Sequence, residues 1–161
     1  MGELIRVGMA DMNICRAPDR ITTLGLGSCI GLVLFDIGNA VCGMIHIMLP
    51  DSSISKVRDN PAKFADTGID ELIKRLERAG LRSSSLCAKM AGGAKMFSVG
   101  GADGTLSIGE RNAEAVRNIL KQRNIPLISL DCGGTYGRTI EFDPITYRLK
   151  IRAIGKKEVY I

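Results

Sequence analysis

The sequence predicts a mixed α+β fold, with sheet at the centre and helices packed outside. Three observations lead there. Many short apolar runs are bounded by glycine, proline and asparagine, the punctuation of strands. Only two stretches, 61–79 and 109–122, carry apolar residues at helical spacing. A chain of 161 residues with 45% hydrophobic and 24% charged content can bury one ordinary core without staples. The chain reads as a single domain over 1–161, with no repeat, low-complexity tract or linker. Strand order is not legible at this level.

Residues 3–8 and 11–16 read as short strands, and Ala17-Pro18-Asp19 turns the chain into a third over 20–24. Next come Gly25-Leu26-Gly27-Ser28 and an apolar hairpin. Its strands are Cys29 to Ile37 and Ala40 to Leu49, joined by a two-residue turn at Gly38-Asn39. The polar stretch 50–60 suits the rim of a binding site. Asn60 and Pro61 supply an N-cap and a first helical residue. The helix they open buries Ala65, Ile69, Leu72, Ile73 and Leu76, turns Lys74, Arg75, Glu77 and Arg78 to water, and stops at Gly80. Leu86 to Met90 is a strand entering Gly92-Gly93, and the glycine-rich 98–107 reads as a loop or loose hairpin. A second helix opens near Gly109-Glu110, runs to about Gln122 and buries Ala113, Val116, Ile119 and Leu120. A strand over 127–131 turns at Gly133-Gly134, and 138–143 with 147–154 close the chain as a hairpin.

Composition narrows the function classes. With no tryptophan and 4% aromatic residues, the chain lacks the stacking platforms that nucleic-acid binding favours. Its net charge of +5 is scattered, as on a solvated surface, so no nucleic-acid partner is expected, though an acidic protein partner is compatible. No apolar run approaches the ~20 residues of a membrane span, and the N-terminus lacks a secretory cleavage pattern, so no membrane insertion is expected. The five cysteines, odd in number and widely spread, suit free thiols in a reducing compartment, and the cytoplasm is the expected location.

His46 is the one histidine. Acid–base chemistry near neutral pH through an unperturbed side chain falls to it. In the two-residue-turn register Gly31 lies opposite His46, which puts Cys29 and His46 on one face as diagonal neighbours roughly 7–8 Å apart. Gly31 has no side chain to stand between them. A loop one residue longer would flip the parity and separate the pair. A neighbouring imidazole is expected to lower the thiol's pKa toward the nucleophilic thiolate. Backbone N–H groups of the loop at Gly27 and Ser28 can point into one small space, as a developing oxyanion needs. Thr23 could fix the histidine tautomer, and residue types alone do not set it above Thr22 or Ser28. Cys15, Cys42 and Cys87 read as buried structural thiols. Cys42 and His46 share a strand face but stand about 13 Å apart, too far for one zinc. No Cys-x-x-Cys pair exists, so neither a metal nor a cofactor is expected. Gly92-Gly93 and Gly133-Gly134 read as turns or close backbone approaches rather than phosphate loops.

Six blocks in order resemble the CheD family of bacterial and archaeal chemoreceptor glutamine deamidases. They are Gly25-Leu26-Gly27-Ser28-Cys29, His46-Ile47-Met48-Leu49-Pro50-Asp51-Ser52, Lys63-Phe64-Ala65-Asp66, Gly92-Gly93-Ala94-Lys95-Met96-Phe97, Ile108-Gly109-Glu110-Arg111-Asn112, and the run from Gly133-Gly134 to Gly137-Arg138. The pattern departs at Cys132, where the family usually carries threonine. The resemblance implies that Cys29 is the nucleophile, His46 its base and Thr23 the residue that orients the histidine. It implies hydrolysis of glutamine side chains to glutamate on methyl-accepting chemotaxis receptors. It implies binding to CheC, a phosphatase of phosphorylated CheY, with stimulation of its activity. It also implies a β-sandwich-like core resembling the catalytic domain of the cytotoxic necrotizing factor toxins. Leu49, Pro50, Asp51, Ser52 and Phe64 are the expected rim for substrate or partner, and a monomer is expected. The alternatives are a non-catalytic adaptor docking on CheC or the receptor, and a cysteine hydrolase of small amides.

Overall fold

The computed structural model describes residues 2–96 and 106–161. Ten strands and two α-helices are present among them, and they form three layers. The first layer is a five-stranded sheet in the order β1 (Leu4–Val7), β3 (Arg20–Leu26), β8 (Arg138–Asp143), β9 (Arg148–Arg152), β10 (Val159–Tyr160). The second is a five-stranded sheet in the order β2 (Met12–Arg16), β5 (Val41–Ile47), β4 (Ile30–Phe35), β6 (Cys87–Gly92), β7 (Leu127–Cys132). The third consists of α1 (Ala65–Arg78) and α2 (Ile108–Gln122). Both sheets are mixed: β1 runs parallel to β3 and β6 to β7, and the remaining pairs are antiparallel.

Two apolar clusters hold the layers together. Between the sheets lie Val33, Phe35, Met44 and Ala91 from one side and Leu26, Ile140, Phe142 and Leu149 from the other. Between the second sheet and the helices lie Ile30, Leu32, Ile45, Ile47 and Met90 with Ile69, Leu72, Leu76, Val116 and Leu120. Strands β4 and β5 are therefore buried on both faces along their whole length, which is why they read as unbroken apolar runs.

The hairpin register is the one the spacing predicts, with Gly31 opposite His46. Its turn is not. The connection runs from Asp36 to Ala40, closed by Asn39 N–H donating to Asp36 O at 3.1 Å, with Gly38 at φ +98°. The Asn39 side chain bonds Asp36 at 2.7 Å, and Tyr147 Oη accepts from Gly38 N–H at 2.8 Å. Phe35 still pairs with Cys42, as the two-residue turn would have it, so side-chain parity is preserved.

The first helix starts later than its sequence suggests. Asn60 does cap, accepting from Ala62 N–H at 3.1 Å, but it caps a 3-10 turn over Pro61–Lys63. Phe64 must be extended to bridge Leu49, which interrupts the helix, and α1 begins at Ala65. The second helix opens earlier: Ser107 is its N-cap, with Oγ accepting from Glu110 N–H at 3.2 Å and donating to the Glu110 carboxylate. The stretch 98–107 lies, up to residue 105, outside the described residues. Strand β10 had no counterpart in the sequence reading. The buried reading of Cys15, Cys42 and Cys87 matches their burial, and Cys15 pairs directly with Cys42 across β2 and β5.

Candidate active site

His46 projects from β5 into the space between the sheets, on the face shared by Cys42 and Met44. It is fully buried. Across the gap Thr23 of β3 meets it, with Oγ1 2.7 Å from His46 Nδ1 and 2.7 Å from Val7 O. A hydroxyl has one proton, and a carbonyl oxygen at 2.7 Å requires it. Thr23 therefore donates to Val7 and accepts from Nδ1–H, which leaves the lone pair on Nε2. Of the three candidates the sequence left open, Thr22 is committed to Ile140 O at 2.7 Å, and Thr23 is the one on the ring. Nε2 is buried with no hydrogen-bond partner among the described residues. Burial holds the imidazole below its ordinary pKa, so the ring is neutral at pH 7.

Cys29 sits one residue before β4, half-buried, its side chain against the inter-sheet cluster. Here the electrostatics depart from expectation. Burial raises the Cys29 thiol above its usual pKa, and no hydrogen bond from His46 offsets it. The resting pair is neutral thiol and neutral imidazole, not thiolate and imidazolium. The gap over Gly31 is also filled: a Cβ there would meet Ile140 Cδ1 at 2.5 Å and Leu26 Cδ1 at 2.9 Å. The missing side chain lets the two sheets close together at this point.

The loop before Cys29 is pinned by its carbonyls. Gly27 O accepts from Ala94 N–H at 2.9 Å, Ser28 O from Asn112 Nδ2 at 2.9 Å, and Cys29 O from Gly93 N–H at 2.9 Å. The N–H of a trans peptide points opposite its carbonyl. The N–H groups of Ser28 and Cys29 thus turn away from these partners, and neither donates to any described residue. The close approach expected at Gly92-Gly93 is this one: Gly92 has φ +116°, and a Cβ there would stand 2.2 Å from Cys29 O. Gly92→Ala is therefore expected to lose about 2 kcal/mol or more, read as a lower urea midpoint. A midpoint within error of wild type would show that the approach is not tight.

The rim residues divide. Pro50 and Ser52 are half-buried and Asp51 exposed, beside a cleft of about 360 Å³ that Asp66, Arg111 and Glu114 also line. Ser52 donates both N–H and Oγ to Asp66, at 3.0 and 2.7 Å. Leu49 is half-buried and bridges Phe64. Phe64 is 1% exposed and packs beneath the rim, so its side chain cannot meet a partner. The expected place of Phe64 at the rim is thus corrected: the bridge to Leu49 takes it inside. Asn112 was not singled out for chemistry. It is a polar residue on the buried stripe Gly109, Asn112, Val116, Leu120, and that mismatch was the available signal.

No helix among the described residues is long and apolar enough to cross a membrane. A family model described as CheD chemotactic sensory transduction matches residues 48–153. The chain is 56% identical over 158 residues to a Lachnoclostridium phytofermentans protein named probable chemoreceptor glutamine deamidase CheD, covering 98% of each. It is 50% identical to the chemoreceptor glutamine deamidase CheD of Halalkalibacterium halodurans (99% of this chain, 100% of that one). Against the Bacillus subtilis protein of that name it is 47% identical (96% and 94%). Among solved structures, a Neisseria meningitidis protein of the DUF152 family superposes with TM-score 0.50 at 8% identity, covering 83% of this chain and 63% of that one. At that identity the likeness concerns the fold alone.

Proposed function

The chain belongs to the CheD family, and from that premise we propose that it hydrolyses glutamine side chains of chemoreceptors to glutamate, with Cys29 as nucleophile. The supporting observation is the Thr23–His46 pair. It fixes the tautomer that leaves Nε2 free to take a proton, on the sheet face where Cys29 stands.

Because thiol and ring are both neutral at rest, the ion pair forms only during attack. His46 Nε2 takes the thiol proton as sulfur bonds to the carboxamide carbon, and the Ser28 and Cys29 N–H groups receive the oxyanion. The imidazolium returns that proton to the departing nitrogen, so the C–N bond breaks as ammonia leaves and a γ-glutamyl thioester remains. Nε2 then takes a proton from water, whose oxygen attacks the thioester. Glutamate leaves, and the thiol recovers its proton from the ring.

The rest of the proposal follows the family: one deamidase domain over 1–161, monomeric and cytoplasmic, with a fold like that of the cytotoxic necrotizing factor catalytic domain. CheC docks at the rim of Leu49, Pro50, Asp51 and Ser52, and its phosphatase activity rises. The test is to incubate purified protein with a receptor cytoplasmic fragment and read ammonia release together with the mass gain of exchanging NH2 for OH. Conversion at defined glutamines is expected. No conversion alongside tight CheC binding would replace the enzyme with an adaptor, and turnover of free glutamine with none on the receptor would make it a small-amide hydrolase.

A further inference from the structure

We propose that Asn112 is a positioning residue: its amide fixes the peptide between Ser28 and Cys29 so that the Cys29 N–H faces the reacting carbonyl. The inference rests on the deamidase reading above. Asn112 stands in the first turns of α2 with no exposed surface, and Nδ2 donates to Ser28 O at 2.9 Å and to Met48 O at 3.0 Å. Both amide hydrogens are thus spent on two carbonyls from different parts of the chain. One belongs to the residue before Cys29. The other lies two residues beyond His46. A single buried group sets the spacing between the nucleophile's loop and the end of the base's strand.

The requirements of that spot select the residue type. Two donors are needed in a volume that admits no charge, since a buried cation without a carboxylate would be costly. Serine and threonine carry one donor, and lysine and arginine carry charge. The amide also leaves Oδ1 buried without a partner among the described residues. An apolar side chain would fill the helix stripe without that unpaired acceptor, so the donors are what the amide contributes. The neighbouring pin at Gly27 O comes from the Ala94 backbone and does not depend on a side chain. Among the described residues, Asn112 is the one side chain that bonds the peptide carrying the Cys29 N–H.

The test compares Asn112→Ala and Asn112→Asp with wild type for kcat and KM on a receptor fragment, alkylation of Cys29 by iodoacetamide, and amide exchange at Ser28 and Cys29. Asn112→Ala is expected to lower kcat about 100-fold, the effect of a misplaced oxyanion donor. KM and the alkylation rate should stay near wild type, since thiol and ring are untouched, and exchange at Cys29 should quicken. Asn112→Asp is nearly isosteric. Its carboxyl donates one hydrogen bond when protonated and none when ionised, so its kcat should fall as pH rises, a limb absent from wild type. A folded Asn112→Ala with kcat within threefold of wild type overturns the proposal. So does a loss shared equally by kcat, alkylation and melting temperature, or failure of both variants to fold, since each marks a merely structural role. If wild type releases no ammonia, the deamidase reading fails instead. Exchange at Cys29 then decides the clamp: quickened in Asn112→Ala it stands, unchanged it falls.

Discussion

Cys29→Ala is expected to bring ammonia release from a receptor fragment to background, a loss of ~10⁴-fold or more, while the fold survives. The size follows from the chemistry. Without sulfur no thioester can form, and neither His46 nor the oriented N–H groups supply a nucleophile in its place. The fold survives because Cys29 is half-buried at a sheet end, outside the ladders of β4, and its peptide contacts are made by backbone atoms that alanine keeps. Such a change costs about 1 kcal/mol or less. Melting temperature and ammonia release, measured on one preparation, check both halves. Turnover persisting in the folded variant would remove Cys29 from the nucleophile's role, and unfolding would make the sulfur structural.

The part of the site that was legible in the sequence is the part that depends on local parity. Cys29, Gly31 and His46 belong to one hairpin, and period-two alternation fixes their faces wherever its tip closes, provided the register is kept. The turn was misjudged, yet the register held. What could not be read is what the second sheet brings. Thr22 and Thr23 are adjacent in sequence and chemically alike. Only the pairing of β3 with β1 and β8 sends one hydroxyl to Ile140 O and the other to Val7 O and the ring. The protonation states were misread for the same reason. Proximity along a hairpin suggested an ion pair, whereas stacking the sheets buries both groups and disfavours their charged forms. Asn112 belongs here too, since it lies 84 residues from the Ser28 carbonyl it clamps.

His46→Gln is expected to lower kcat by ~10³–10⁴-fold, and the wild-type pH profile should identify the ring as the group removed. The base must be neutral, and burial holds its pKa below the ordinary value, so wild-type activity should persist below about pH 6.5 before it falls. The same displacement has a stability sign. In the folded protein the ring resists a proton that the unfolded chain accepts. Stability is therefore full above the unfolded value and declines as pH drops from about 6.5 toward the lower folded pKa. His46→Gln should flatten that slope in a series of melting temperatures, since glutamine does not titrate. Thr23→Val sharpens the test. It strands Nδ1–H without an acceptor, at a cost of about 1–3 kcal/mol, and releases the tautomer that keeps Nε2 free. Its kcat should fall while Cys29 remains alkylatable. An acid limb unchanged in position in His46→Gln would show that another group sets it, and the ring would lose its part in the reaction.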